Sequence, residues 1–438
     1  MKFSISRGTV RHTLVENILD LIRSTFFASS YLRAASCDEK AALDQALQKK
    51  FQNTQVAFYP FARTCLHVIL SNLNIPKGSR ILMTPITIGP MVEVIESLGF
   101  EVVFVDIETD TFGPCLKSLQ EKLDAGAYCF LLTYLFGFVP DVREAVRMCR
   151  NAGTFVIEDI SHNLGASSGG RLLGMWGEAS IYSASLLKYV DGYNGAFTIT
   201  NIPSLASALK HGSSTLSQPD SQRVRNVVLK TLIWNFALKR WIFSFATWPA
   251  LRLLKLSSPT MFENLLGPGI PFHRSPNLPS FYFEQLTKLQ AQTMLRNLSK
   301  LPKRLERRRE VARRAIDALM QTCDCSARVD KNLHHSYSFS TYWQFVVPVR
   351  STEESRSILF ENGIETNTTN LRDLASDLGV ILPGARTLKE KCIFVPLHDY
   401  LKDQDYLKIF NILLDARQLD CERAKKMYQF HVEDVVQS

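Results

Sequence analysis

Residues 154–201, TFVIEDISHNLGASSGGRLLGMWGEASIYSASLLKYVDGYNGAFTITN, decide the fold. Three short apolar runs within them, Thr154–Glu158, Ser180–Ser183 and Ala196–Thr200, read as buried strands. Upstream, Arg80–Thr84, Val102–Asp106 and Tyr128–Leu135 read the same way. Helix-like stretches separate them: Thr64–Leu73, Pro90–Leu98, Leu116–Leu123 and Val142–Arg150. Continuous apolar strands alternating with helices predict an α/β fold around a mostly parallel sheet. In such sheets ligands bind at the carboxyl ends of the strands, so a functional residue is expected just after a strand.

Downstream, 205–280 breaks the rhythm, and Gly267–Pro279 reads as a loop from its Pro and Gly content. One long charged helix is expected from Phe283 to about Met320. After it come a strand at Tyr342–Val349, a helix at Glu353–Asn362, an apolar run at Cys392–Leu397 and a helix at Asp403–Leu413. The expected organisation is an N-terminal helical segment (1–50), a large ligand-binding domain (51–204), a basic Trp-rich insertion (205–280), a long helix with a smaller α+β domain (281–420), and a tail (421–438).

Composition narrows the partners. The chain has 438 residues, 46% of them hydrophobic and 21% charged, which suits a globular protein with a sizeable core. Its formal net charge of +9 favours phosphorylated or acidic ligands and membrane surfaces. Part of that excess sits in Lys300–Arg314 (KLPKRLERRREVARR), read as a solvated helix face, since no nucleic-acid motif accompanies it. Of the nine cysteines only Cys323 and Cys325 lie close together, and no second pair or His stands at zinc-finger spacing, so no metal site is expected. An odd number of scattered cysteines fits a reducing cytoplasm. The N-terminus has no signal-peptide pattern, and no apolar run is long enough to span a membrane.

Three positions fit one cofactor, pyridoxal 5'-phosphate (PLP). The strand FVIE ends in Asp159, Lys188 lies five residues beyond the strand that ends at Ser183, and Thr64 opens a helix in ARTCL. PLP needs a lysine to hold it covalently, an acid against its ring nitrogen, and hydroxyls and a helix N-terminus for its phosphate. Each signal alone has a plainer reading: a surface lysine, a helix cap, a turn residue. Their order and spacing together favour the site.

These residues resemble the DegT/StrS-type sugar aminotransferases, PLP enzymes of fold type I. The resemblance runs from about Ala41 to Asp415, apart from the segment near 205–280. It is carried by GFEVVFVDIETDTF, TYLFGFVPDV, GTFVIEDISHNLGASSGGRLLG, WGEASIYSASLLKY and KCIFVPLHD. It implies that Lys188 is the catalytic, cofactor-bearing lysine and that Asp159 pairs with the ring nitrogen. Ser183, Thr64 and the backbone at Cys65 hold the phosphate. His162 stands where the family has a Gln near the ring oxygen, and reads either as that ligand or as a core histidine. It further implies a homodimer, an amino-acid donor (glutamate or glutamine) and a nucleotide-linked keto-sugar acceptor. Sugar dehydration, or a degenerate paralogue binding a membrane or partner, remain as alternatives.

The sequence departs from the family pattern at five places. Arg63 replaces a Gly before Thr64, and no ring-stacking aromatic stands in TPITIGPM, where Gly89 falls nearest. Tyr193-Asn194-Gly195-Ala196 replaces Gly-Glu-Gly-Gly, and Phe281–Gln285 replaces a loop that carries Asn and Arg to the partner subunit. The sugar-binding His-rich segment is not recognisable in Thr366–Leu382. One further feature stands alone: Ser221–Phe262 contains no acidic residue but seven basic ones, and Trp234, Trp241 and Trp248 recur every seven residues. That spacing predicts one helix face, and peripheral membrane contact through 221–262 or packing on the protein's own surface.

Overall fold

The computed structural model describes residues 3–266, 277–324, 339–369 and 371–433. Seven strands form its main sheet: β1 (Gln55–Tyr59), β2 (Arg80–Met83), β3 (Glu101–Phe104), β4 (Cys129–Thr133), β5 (Phe155–Asp159), β6 (Ala179–Ser183) and β7 (Ala196–Thr200). Their order is β1-β7-β6-β5-β4-β2-β3. The pairs β3–β2, β2–β4, β4–β5 and β5–β6 are parallel, whereas β7 is antiparallel to both β6 and β1.

Alternation along the strands explains why both faces are apolar. Ile81, Met83, Cys129, Leu131, Ile157 and Ile181 bury one way, among the helices Ala62–Ser71 and Gly89–Ser97. Leu82, Phe130, Leu132, Val156, Tyr182 and Phe197 bury the other way, against Leu119, Val142, Val146 and Leu298. A sheet covered on both sides needs such continuous runs, and each fully buried large side chain contributes roughly 1.5–3 kcal/mol.

A second core lies in the C-terminal part. Two antiparallel strands, Phe345–Pro348 and Cys392–Val395, pack with Tyr406, Phe410 and Tyr428 of two helices, Asp403–Asp415 and Cys421–Glu433. The expected tail therefore begins as a helix that buries Ala424, Met427 and Tyr428; 434–438 lies outside the described residues, as does most of the expected loop Gly267–Pro279. Cys325 does too, and the remaining eight cysteines are free thiols.

Two expectations are corrected here. The long helix from Phe283 is two helices, Lys288–Ser299 and Leu301–Thr322. Pro302 has no N–H and its ring clashes with the carbonyl four residues back, so it can only sit in a first turn. Nor is Lys300–Arg314 simply a solvated face. Arg304 donates to the Tyr189 carbonyl (2.9 Å), and Arg308 to those of Tyr342, Trp343 and Leu397 at 2.6–2.9 Å.

The insertion is helical but broken. One helix, Ser221–Ala237, is followed by a short turn at Arg240–Ile242, a π-helical turn at Phe243–Thr247, and helices Trp248–Ser257 and Pro259–Leu266. A heptad spacing keeps one face only along an uninterrupted helix, and the break at Leu238–Lys239 and the wider π turn change the phase. Trp248 is 5% exposed, packed on Phe243 and Phe360, whereas Trp241 is 64% exposed and Trp234 half-buried. The three tryptophans do not share a face.

Below, the helix Leu14–Phe26 is called α1, Ala62–Ser71 α2 and Ser221–Ala237 α3.

Candidate active site

Strands β5 and β6 end side by side, and the alternation that hides Glu158 exposes Asp159 to a cavity. Glu158 faces away, where Tyr134 Oη (2.7 Å) and the backbone N–H groups of Gly174 and Gly177 donate to it. Asp159 lines a cavity of about 490 Å³ together with Ser161, His162, Ser183, Ser185 and Lys188. One of its carboxylate oxygens accepts from the Ser161 N–H at 2.9 Å. Burial raises its pKa, opposed by the Ser161 hydrogen bonds and by the charge of Lys188.

Lys188 is carried by a tight loop whose residues Leu187, Tyr193 and Asn194 have φ of +72°, +58° and +71°. Such left-handed backbone is uncommon for side chains larger than glycine and needs support. Asp191 provides it, accepting from the Leu187 N–H (3.3 Å) and the Tyr193 N–H (2.9 Å). Tyr193 stands where the resembling family has glycine, and its hydroxyl is tied down by Asn17 (2.7 Å) and Asp20 (2.9 Å) of α1.

The Lys188 ammonium lies 4.2 Å over the Trp343 ring. Burial lowers its pKa to about 7, with Asp159 pulling the other way. His162 stacks on the same ring at 3.9 Å and 14°. Its Nδ1 accepts from the Phe136 N–H at 3.2 Å, while burial and then the Lys188 charge hold its pKa well below the usual range. The imidazole is thus neutral, with its proton on Nε2.

At the opposite wall, Thr64 and Cys65, the residues expected at the phosphate, have other partners. The Thr64 hydroxyl donates to the Tyr282 carbonyl (2.6 Å), and the Cys65 N–H is bonded to Phe61 O within the first turn of α2. Neither residue lines the cavity; Ala62 and Arg63 do. The helix simply begins earlier than the ARTCL pattern suggests, so its free first N–H groups belong to Ala62 and Arg63. Arg63 does not point to solvent. Its guanidinium lies between the rings of Phe61 (4.0 Å) and Tyr282 (4.1 Å), and its buried Nε has no hydrogen-bond partner among the described residues. Burial lowers its pKa to about 10, leaving it charged at neutral pH.

The remaining wall is Thr87, Ile88 and Met91, apolar at the place where no aromatic was found, with Thr133, Phe281, Leu371 and Arg223 beyond. Phe281 belongs to the segment expected to reach a partner's site, yet it lines this chain's own cavity, while Phe283 packs on His67 at 4.9 Å. Arg223, in the first turn of α3, pairs with Asp220 and Glu284 at 3.3 Å. Sequence reasoning missed Ser161, Ser185, Thr133, Arg223 and Trp343. The serines were legible, at the spacing of the two strand ends; Arg223 and Trp343 come from distant segments that no local pattern links to the site.

Comparisons with known proteins agree with this architecture. Residues 28–226 match the model of the DegT/DnrJ/EryC1/StrS aminotransferase family. The GDP-perosamine synthase of Escherichia coli O157:H7 is 25% identical over 146 residues, which are 33% of this chain and 40% of the relative. The chain thus spans about two-fifths of the length of that relative. Among solved structures, an aminotransferase from Psychrobacter cryohalolentis superposes with a TM-score of 0.68 at 16% identity, over 95% of this chain and 98% of that one. The E. coli GDP-4-keto-6-deoxy-D-mannose-3-dehydratase, with bound hydrated PLP, gives 0.67 at 14% identity, over 94% and 100%. The fold is that of the fold-type-I aminotransferases, and residues 28–226, a little under half of the chain, are similar to the DegT/DnrJ/EryC1/StrS aminotransferase family.

Proposed function

We propose that the chain is a PLP-dependent aminotransferase that moves an amino group from an amino acid, glutamate or glutamine, to a keto-sugar carried on a nucleotide. The observation that carries this reading is Lys188, buried beside Asp159 in the cavity with a pKa near neutrality. The residues fit the cofactor. Arg63 is a half-buried cation at a helix N-terminus whose buried Nε has no partner among the described residues, which suits a phosphate. Thr133 Oγ1, on the cavity wall, is likewise buried without a partner among the described residues.

When bound, PLP supplies the electron sink that lets a proton leave the carbon bearing the amino group. The chain's residues do the rest. The N–H groups of Ala62 and Arg63, the Arg63 guanidinium and the hydroxyls of Ser183 and Ser185 would hold the phosphate. The Asp159 carboxylate would pair with the ring nitrogen. The Nε2–H of His162 would donate to the ring oxygen. Lys188 Nζ would take the proton from the donor's amino-bearing carbon and pass it to the cofactor side, and would carry it the opposite way for the acceptor; a pKa near neutrality suits both directions.

A dehydratase shares this fold at a similar TM-score. Lys188 favours transamination, because that reaction needs a proton carrier on the cofactor face. Cytoplasmic action and a homodimer belong to the same proposal. So does peripheral membrane contact, although the Trp stripe expected to make it is not one face.

Borohydride reduction of the PLP-loaded protein followed by peptide mapping tests the assignment. The cofactor should be fixed on Lys188, and single donors should convert the loaded protein to its pyridoxamine form. An adduct on another lysine, or no PLP uptake at saturating cofactor, overturns it.

A further inference from the structure

Helix α1 is built inside out. It buries Asn17, Asp20 and Ser24 and exposes Val15, Ile18, Leu19, Ile22 and Phe26, the first and last at 66% and 77%. These apolar positions follow the spacing i, i+3, i+4, i+7, i+11 of a single stripe. The inner polar side is used by the fold. Asn17 and Asp20 hold the Tyr193 hydroxyl below the Lys188 loop, and Asn235 of α3 donates to Asn17 at 2.6 Å. The outer side has no partner within the described chain.

The apolar surface continues onto neighbouring elements. Helix α3 packs on α1 and exposes Leu229, Ile233 and Phe236. The turns and helices that follow it, each in contact with the last, expose Trp241, Phe245, Leu253, Leu256 (82%) and Met261. A chain of contacting elements with this many exposed large apolar residues marks an interaction surface.

Charge identifies the occupant. No acidic residue occurs from Ser221 to Phe262, and Lys230 and Lys239 are exposed. The acids of α1 are already neutralised from inside, Asp20 by Arg296 (2.5 Å) and Glu16 by Lys300 and Arg296. Apolar and aromatic residues beside the exposed Lys230 and Lys239, with Glu361 paired to Arg252 and Lys255, suit an anionic lipid surface. A second copy packed about a two-fold axis would set the same lysines against each other.

We propose that α1, α3 and the helices after it form a docking face for anionic bilayers. This face rests on the membrane contact proposed above and moves its centre from the tryptophans to α1. It does not depend on the reaction assigned to Lys188.

Co-sedimentation of the PLP-loaded full-length protein with vesicles tests it. Binding should appear with phosphatidylglycerol-containing vesicles at low salt and weaken at about 1 M salt, where screening shortens to about 3 Å. Pure phosphatidylcholine should bind more weakly. The double substitution Ile18→Glu, Ile22→Glu should reduce partitioning by about tenfold or more, given the insertion cost of two charges. Ile381→Glu, at an exposed apolar residue elsewhere on the surface, should leave it unchanged. Visible absorption of the bound cofactor, equal in all three proteins, reports an intact fold. No binding to anionic vesicles, or equal binding by the double variant, overturns the proposal. So does a dimer in light scattering that the double variant splits, because α1 then faces a second copy. Failure to take up PLP overturns the reaction, and the vesicle result remains readable.

Discussion

The cavity and the α1 face are two opposite departures from ordinary burial, set back to back across the Lys188 loop. In the cavity, charged groups are taken out of water: Lys188 and Asp159 are both nearly buried, and Arg63 Nε lacks a partner among the described residues. On the α1 face, apolar groups are left in water while Asn17 and Asp20 are fully buried beneath them. Both arrangements raise the free energy of the isolated chain, and each points to a ligand that lowers it. The two meet at Tyr193, whose backbone belongs to the lysine loop and whose hydroxyl belongs to α1.

The largest effect that would sharpen this contrast is at Asp159. Replacement by Asn keeps the Ser161 N–H contact but removes the charge that stabilises a protonated ring. The transamination rate should fall on the order of a hundredfold to a thousandfold, the usual cost of losing such an electrostatic group. Cofactor content, read by absorption, should fall far less. A rate within twofold of the parent would make Asp159 a structural group, no different from Glu158 behind it.

Next comes Arg63. Arg63→Met retains an apolar stem between Phe61 and Tyr282 but loses the cation. Hydrogen bonds to charged groups contribute about 1.5–3 kcal/mol, so the dissociation constant for PLP should rise by roughly ten- to a hundredfold. Inorganic phosphate should compete with PLP on the parent and much less on the variant. Unchanged affinity would leave the buried guanidinium as an aromatic spacer.

How far such residues could be read from the sequence differs between the two regions. Asp159, Ser183 and Lys188 were legible because each ends, or closely follows, a strand, and a sheet brings strand ends together whatever lies between them. The same reading did not foresee that α2 begins at Ala62, before the Thr64 of the ARTCL pattern, so that Ala62 and Arg63 line the cavity. β1 was missed because its pairing with β7 joins segments far apart. On the other side, heptad counting supposed an unbroken helix through Leu238 and Lys239. An apolar period in 14–26 says that one face differs from the other, but not which of them turns inward.

A smaller effect concerns pH. Burial places the Lys188 pKa at about 7, so the neutral, reacting amine already predominates slightly above neutrality. The rate of PLP capture by the cofactor-free protein should rise about tenfold between roughly pH 6 and 8 and then level off, whereas an ordinary lysine, with a pKa of about 10.4, would keep rising. The neighbouring carboxylate opposes the burial effect, so Asp159→Asn should move the midpoint to lower pH. A midpoint that stays put would mean that the two groups do not sense each other.

The smallest effect bears on which side of α1 holds the fold. Asn17 donates to Tyr193 Oη and accepts from Asn235, and it is fully buried. Asn17→Ala leaves those partners unsatisfied, at a cost of about 1–3 kcal/mol. Ile18 is the next residue and lies on the exposed side. Its replacement by Glu should change stability by no more than about 0.5 kcal/mol, as surface substitutions generally do. Urea unfolding of the cofactor-free variants, compared at one protein concentration, measures both. On an ordinary amphipathic helix the order would be reversed, with the apolar position the costly one. If Ile18→Glu proves as damaging as Asn17→Ala, the outer stripe is covered in solution, and repeating the melt at higher dilution decides by what: a concentration-dependent midpoint identifies a second copy, because only association responds to protein concentration.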